Sequence, residues 1–96
     1  MEMNYSIFHH PEVIKKDIPK LDTYWRREIR DAVRGKLIVN PNLYGVYLRQ
    51  SLKGLRKLRV GDYRVLYRVM NRSVFIVIIG HRSVVYDEVK RRLGLY

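Results

Sequence analysis

A chain of 96 residues has room for one small core, and with 47% of its residues hydrophobic it reads as folded, not disordered. Twenty Lys and Arg against nine Asp and Glu leave a formal net charge of +11, which points to nucleic acid, the ribosome or an acidic protein as partner. No cysteine is present, which excludes a disulfide framework and thiol chemistry. No stretch approaches the ~20 apolar residues of a membrane span, and MEMNYSIFHH lacks the basic and apolar regions of a secretory signal, so a cytoplasmic protein is expected.

In chain order, Asn4–His9 reads as a short strand with Tyr5, Ile7 and Phe8 supplying apolar surface. Pro11 suits the first position of a short helix over Pro11–Ile18, and Pro19 is expected to stop it. Asp22 or Thr23 caps a longer helix running to about Val39. In it Leu21, Trp25, Ile29, Ala32, Val33 and Leu37 recur at helical spacing, with Arg26, Arg27, Glu28, Arg30, Asp31, Arg34 and Lys36 on the other side. Gly35 marks a weak point where this helix ends early or bends. Asn40-Pro41-Asn42 reads as a loop, and Tyr44–Ser51 as irregular or briefly extended.

The stretch Leu55–Tyr86 organises the rest. Leu55–Val60 alternates, with Leu58 and Val60 on one face and Lys57 and Arg59 on the other. After a turn at Gly61-Asp62, Tyr63, Val65, Tyr67 and Val69 alternate with Arg64, Leu66 and Arg68. A second turn at Asn71-Arg72 leads to Val74–Ile79, apolar on both faces as a central strand should be. Ser83 then stands as N-cap of a last helix that carries Asp87 and Glu88 in its first turns and ends near Leu93, before Gly94. The elements make a single domain over residues 1–96, of the α+β class. A small antiparallel-rich sheet with helices packed on one face is expected, in the order β-α-α-β-β-β-α.

Between Lys53 and Arg82 stand Lys53, Arg56, Lys57, Arg59, Arg64, Arg68, Arg72 and Arg82, with Asp62 as the one acid. A face kept only for solubility would mix both signs, so the crowding points to a polyanion. His9, His10 and His81 fall in two places with no acid at ligand spacing, so no metal is called for. Acids are too scarce on the basic face for a paired-carboxylate hydrolase, and no glycine-rich phosphate loop or other cofactor motif appears. RNA cleavage without a metal stays open, since it needs a base, an acid and cations to hold the phosphorane.

The run LKGLRKLRVGDYRVLYRV, the apolar strand after it and GHRSVVY resemble the core of the RelE/ParE toxin superfamily of prokaryotic toxin–antitoxin systems, and the likeness extends over nearly the whole chain. It implies either a ribosome-dependent endoribonuclease cutting messenger RNA, as in RelE-like members, or a ParE-type toxin that binds DNA gyrase. On the first branch Lys57 matches the strand lysine that serves as general base, and Arg64 in GDYR the arginine that stabilises the phosphate. Arg82 in GHR matches the arginine acting as acid or charge stabiliser, and Tyr86 the tyrosine that orients or stacks on the substrate nucleotide. His81 supplies a group that some relatives use as acid or base; its other role is a turn residue bonding local backbone. Lys53, Arg56, Arg59 and Arg68 fall to RNA binding or antitoxin contact. Two departures stand out: an earlier family lysine is Leu55 here, which also fits a catalytically weakened relative, and one residue fewer separates Arg82 from Tyr86. The implied partners are an acidic RelB-like antitoxin, the ribosome and messenger RNA, with no membrane. Alanine at Arg64 or Arg82 is expected to cut cleavage and leave the fold intact.

Overall fold

The computed structural model describes residues 4–95. Strand β1, Ser6–His9, is followed by α1, the helical run 11–20. Val13–Asp17 within it widens to a π-helical turn, closed by the Ile18 N–H donating to the Val13 carbonyl. Pro19 was expected to end this helix, but winding continues through Ile18–Lys20. Helix α2 covers 23–37: Thr23–Ala32 is α-helical, capped by the Asp22 carboxylate accepting the Trp25 N–H at 2.9 Å. Its last turn, Val33–Leu37, widens in the same way around Gly35. Pro41–Tyr44, expected as a loop, forms the single turn α3 with proline at its first position. Val46–Tyr47 is the short strand β2.

Strands β3 (Arg56–Val60), β4 (Tyr63–Met70) and β5 (Ser73–His81) follow, then α4, Val85–Arg92. The five strands form one mixed sheet in the order β1-β5-β4-β3-β2. β1 runs parallel to β5, and every other neighbouring pair is antiparallel. Both hairpins turn on two residues, with φ of +60° at Gly61 in one and +56° at Asn71 in the other.

The alternation in β4 sorts its side chains as expected. Tyr63, Val65, Tyr67 and Val69 join Val13, Leu21, Ile29 and Leu37 in a core under α1 and α2. Tyr67 is fully buried there, and its hydroxyl donates to the Pro41 carbonyl at 2.8 Å, fastening α3 to the sheet. The α+β class stands, but not the expected placing of all helices on one face. Leu66 and Ile78 point the other way and are covered by Val85 and Val89 of α4, together with Leu52 and Leu55. A shift in register between Leu66 and Tyr67 adds to that face: Leu66 pairs with Ile78 and Tyr67 with Ile76, leaving Val77 over as the extra residue of a bulge. Val77 and Ile78 thus both add to the apolar surface of the second face, which needs a cover.

Candidate functional site

The face that carries α4 also carries Lys57 and Arg59 of β3 and Arg64 and Arg68 of β4. Arg59 lies directly opposite Arg64, and Lys57 opposite Leu66. Like charges placed opposite each other oppose folding, so this arrangement asks for an anion. Arg64 is only 8% exposed, and its Nη1 donates to the carbonyls of Gly61 (2.9 Å) and Tyr63 (2.8 Å). The turn therefore holds this guanidinium in place before any ligand arrives. Arg82 reaches the same turn from β5: its backbone N–H donates to the Asp62 carbonyl at 2.8 Å. Its Nε lies 3.5 Å from Asp62 Oδ1, with both side chains more than half exposed, a weak pair that a phosphate can displace.

Tyr86 rises from the first turn of α4 and is half-buried over the second core. Its ring centre lies 5.8 Å from Lys57 Nζ, within cation–π range. Two elements distant in sequence thus deliver an amine and an aromatic ring to one spot. Gly80 allows the approach, since a Cβ there would stand 3.3 Å from Val85 Cγ2.

His81 does not join them. It sits opposite Tyr63, at the register of the α1/α2 side, with the two rings edge-on at 5.7 Å. Its Nδ1 accepts the Ser83 N–H at 3.1 Å and lies 2.8 Å from the Ser83 hydroxyl. These are the local bonds expected of a turn residue. Ser83 is drawn to it, and Val84 takes the N-cap position of α4 without a side-chain cap.

The remaining basic residues divide. Lys53 is exposed beside the Gly54 turn that leads into β3. Arg56 points to the other face, opposite Tyr67, where Nη1 donates to the carbonyls of Asn42 (3.1 Å) and Gly45 (2.9 Å) and the guanidinium covers the Tyr47 ring at 3.8 Å. It clamps α3 and β2 to the sheet, away from the cluster. Arg68 is exposed, opposite Phe75, and stands four residues or ~13 Å along β4 from Arg64. Lys57, Arg59, Arg64, Arg82 and Tyr86 are therefore the residues brought together. Among the described residues, no three His, Cys, Asp or Glu side chains gather as a metal site would require.

A second surface went unread in the sequence. Between α1, α2 and the sheet lies an apolar groove of about 380 Å³, with Ile7, Ile18 and Ile29 in its wall and Arg26, Arg30 and Arg34 along its rim. The signal was there: those arginines recur every fourth residue, one helical stripe beside the apolar one.

The family model for the ParE toxin of the type II toxin–antitoxin system, parDE, matches residues 10–86. Toxin RelE of Mycobacterium tuberculosis is 36% identical over 81 residues, covering 84% of this chain and 75% of that protein. Among solved structures, the RelBE2 toxin–antitoxin complex from the same organism matches with a TM-score of 0.75 at 28% identity, over 82% of this chain and 99% of that one. A mutant of Escherichia coli RelE in the free state matches with a TM-score of 0.72 over 94% of both chains; at 22% identity that likeness is one of fold alone.

Proposed function

We propose that this chain, which belongs to the RelE/ParE superfamily and is a RelE-type toxin of a toxin–antitoxin system, cuts messenger RNA on the ribosome without a metal. The meeting of Lys57 with Tyr86, beside the buried cation of Arg64, is what supports this most. In such a cut the ribose 2′-oxygen attacks the adjacent phosphorus and the bond to the 5′-oxygen breaks. A base must take the 2′-proton, cations must hold the phosphorane, and the leaving oxygen must be neutralised. Lys57 is the amine in reach of a stacked nucleotide, so the base role falls to it. Arg64, already fixed by the turn, holds the non-bridging oxygens, with Arg59 adding charge from the strand opposite. Arg82 is exposed and loosely paired, so it moves onto the leaving oxygen; a guanidinium keeps its proton and acts there through charge, while a solvent water gives the 5′-oxygen the proton that makes it a hydroxyl. Tyr86 stacks on the base and aligns the scissile bond.

The partner that keeps such a toxin silent is an acidic antitoxin, and the solved relative from Mycobacterium tuberculosis is itself a toxin–antitoxin complex. The groove rimmed by Arg26, Arg30 and Arg34 fits an acidic chain with apolar side chains. Co-expression with the neighbouring small reading frame, followed by affinity purification at low salt, should recover both chains; recovery of this one alone speaks against the partnership.

The match to a ParE family model favours a second reading, a toxin that acts by binding DNA gyrase. The two separate in one set of assays. Purified protein should leave primer-extension stops on ribosome-bound message and leave gyrase supercoiling unchanged. Intact message with arrested supercoiling reverses the assignment.

A further inference from the structure

Strand β1 ends early because Pro11 opens α1, and the last backbone bond between the two strands runs from the His10 N–H to the Ile76 carbonyl. Beyond it the outer edge of β5 would leave buried backbone groups without partners. Two side chains take the place of the missing strand. Asp17 of α1 accepts the Ile79 N–H through Oδ2 at 2.9 Å, and Arg92 of α4 donates through Nη1 to the Val77 carbonyl at 3.0 Å. The two also bond to each other at two points, Nη1 to Oδ2 at 2.7 Å and Nη2 to Oδ1 at 2.9 Å. Their side chains are 10% and 4% exposed for Arg92 and Asp17, so water does little to loosen the pair.

The consequence lies on the far flank of α4. Six residues separate Tyr86 from Arg92, so they project about 120° apart around the helix, on either side of the stripe made by Val85 and Val89. That stripe seats the helix on Leu66 and Ile78. Apolar packing is non-directional, however, and leaves the roll of a short helix about its own axis loosely set. A two-point guanidinium–carboxylate bond is directional and resists that roll. A side chain about 5–6 Å from the helix axis moves by ~2 Å for a roll of ~20°, and a misplacement of ~1 Å can cost on the order of 10² in rate.

We propose that Asp17 and Arg92 are positioning residues: their ion pair sets the roll of α4 and so holds the Tyr86 ring at Lys57. The proposal rests on the ribonuclease reading of that site, and neither residue touches the substrate. The test uses Arg92→Lys, which keeps the charge and gives up the two-point hold, and Asp17→Asn, which keeps an acceptor for the Ile79 N–H and gives up the charge. In the parent, NMR should show the Lys57 side-chain methylenes shifted upfield by the Tyr86 ring, a shift that Tyr86→Leu abolishes. Both variants should lose most of that shift while their far-UV spectra stay folded, and kcat on ribosome-bound message should fall by ~10²-fold with KM little changed. Asp17→Asn leaves a buried cation half-paired and should also melt lower; should it fail to fold, Arg92→Lys decides alone. Variants that melt lower yet keep the parent's Lys57 shift and kcat overturn the proposal, because the pair then only stabilises. If the parent itself leaves message intact, the ribonuclease reading falls, and the Lys57 shift alone still decides whether the pair places Tyr86.

Discussion

Arg64 donates twice from one nitrogen into the turn it follows, whereas Arg82 keeps only a long, exposed contact with Asp62. This difference alters what alanine should do at each. Arg82→Ala should cut cleavage by ~10²–10³-fold and shift stability by about 0.5 kcal/mol or less, since a solvated guanidinium leaves nothing buried behind. Arg64→Ala should cost as much activity but also destabilise by ~1–3 kcal/mol, because the Gly61 and Tyr63 carbonyls lose a charged donor in a site only 8% exposed. Cleavage and thermal melting measured on both proteins check this. Equal melting temperatures would mean that the turn does not need the Arg64 guanidinium, and the sequence-based expectation of an intact fold would then apply to both.

Elements meet through single contacts that substitutions can isolate. The β3–β4 turn passes under the Trp25 ring of α2 at Gly61, whose φ is +60°. Gly61→Ala would drive a methyl into that ring and strain the backbone, at a cost of ~1–3 kcal/mol. Gly35→Ala, in the last turn of α2 with nothing within 4 Å, should instead stabilise by ~0.5–1 kcal/mol. Chemical denaturation of the two variants should move in opposite directions. Tyr67 makes a pH test of how α3 is fastened. Burial pushes its phenol up from 10.0 to about 12. The unfolded chain therefore loses this proton first as pH rises, so the stabilisation is complete below pH 10 and is lost progressively toward pH 12. Tyr67→Phe should cost ~1 kcal/mol near neutrality through the lost bond to Pro41, and the gap to the parent should shrink across that alkaline window. A gap that stays constant from pH 8 to about 12 would show that the phenol is not held protonated by the fold.

At the scale of the whole molecule, a net charge of +11 is spread over a basic rim at the β3–β4 turn and an arginine stripe on α2. Binding to ribosomes through phosphates should weaken steeply as salt rises, with log affinity falling linearly against log salt. Arg82→Ala should reduce that slope by about 1 if Arg82 meets one phosphate. A flat line would point to an apolar interface, for which the stacked and exposed Phe8 and Phe75 rings would be the first place to look.

What the chain alone determined is what depends on neighbours in sequence. Period-two alternation assigned the four residues of β4 that face α1 and α2, helical spacing assigned the buried stripe of α2, and the Gly61-Asp62 and Asn71-Arg72 turns set both hairpins. Lys57, Arg64, Arg82 and Tyr86 were legible as one candidate site because a run of like charge on one strand face, and a family motif, are both written locally. Other features had no local signature. The bulge at Val77 turned Ile78 to the second face, under α4, because one extra residue reverses which side chains point where. Alternation with Leu58 already places Arg56 off the basic face, but the Asn42 and Gly45 carbonyls that hold it there are supplied only by the fold. Asp17 and Arg92, 75 residues apart, carry no sequence signal that links them. Only the order of strands, which leaves one edge of β5 uncovered beyond His10, brings them together, since a backbone group buried without a partner must take one from wherever the fold supplies it.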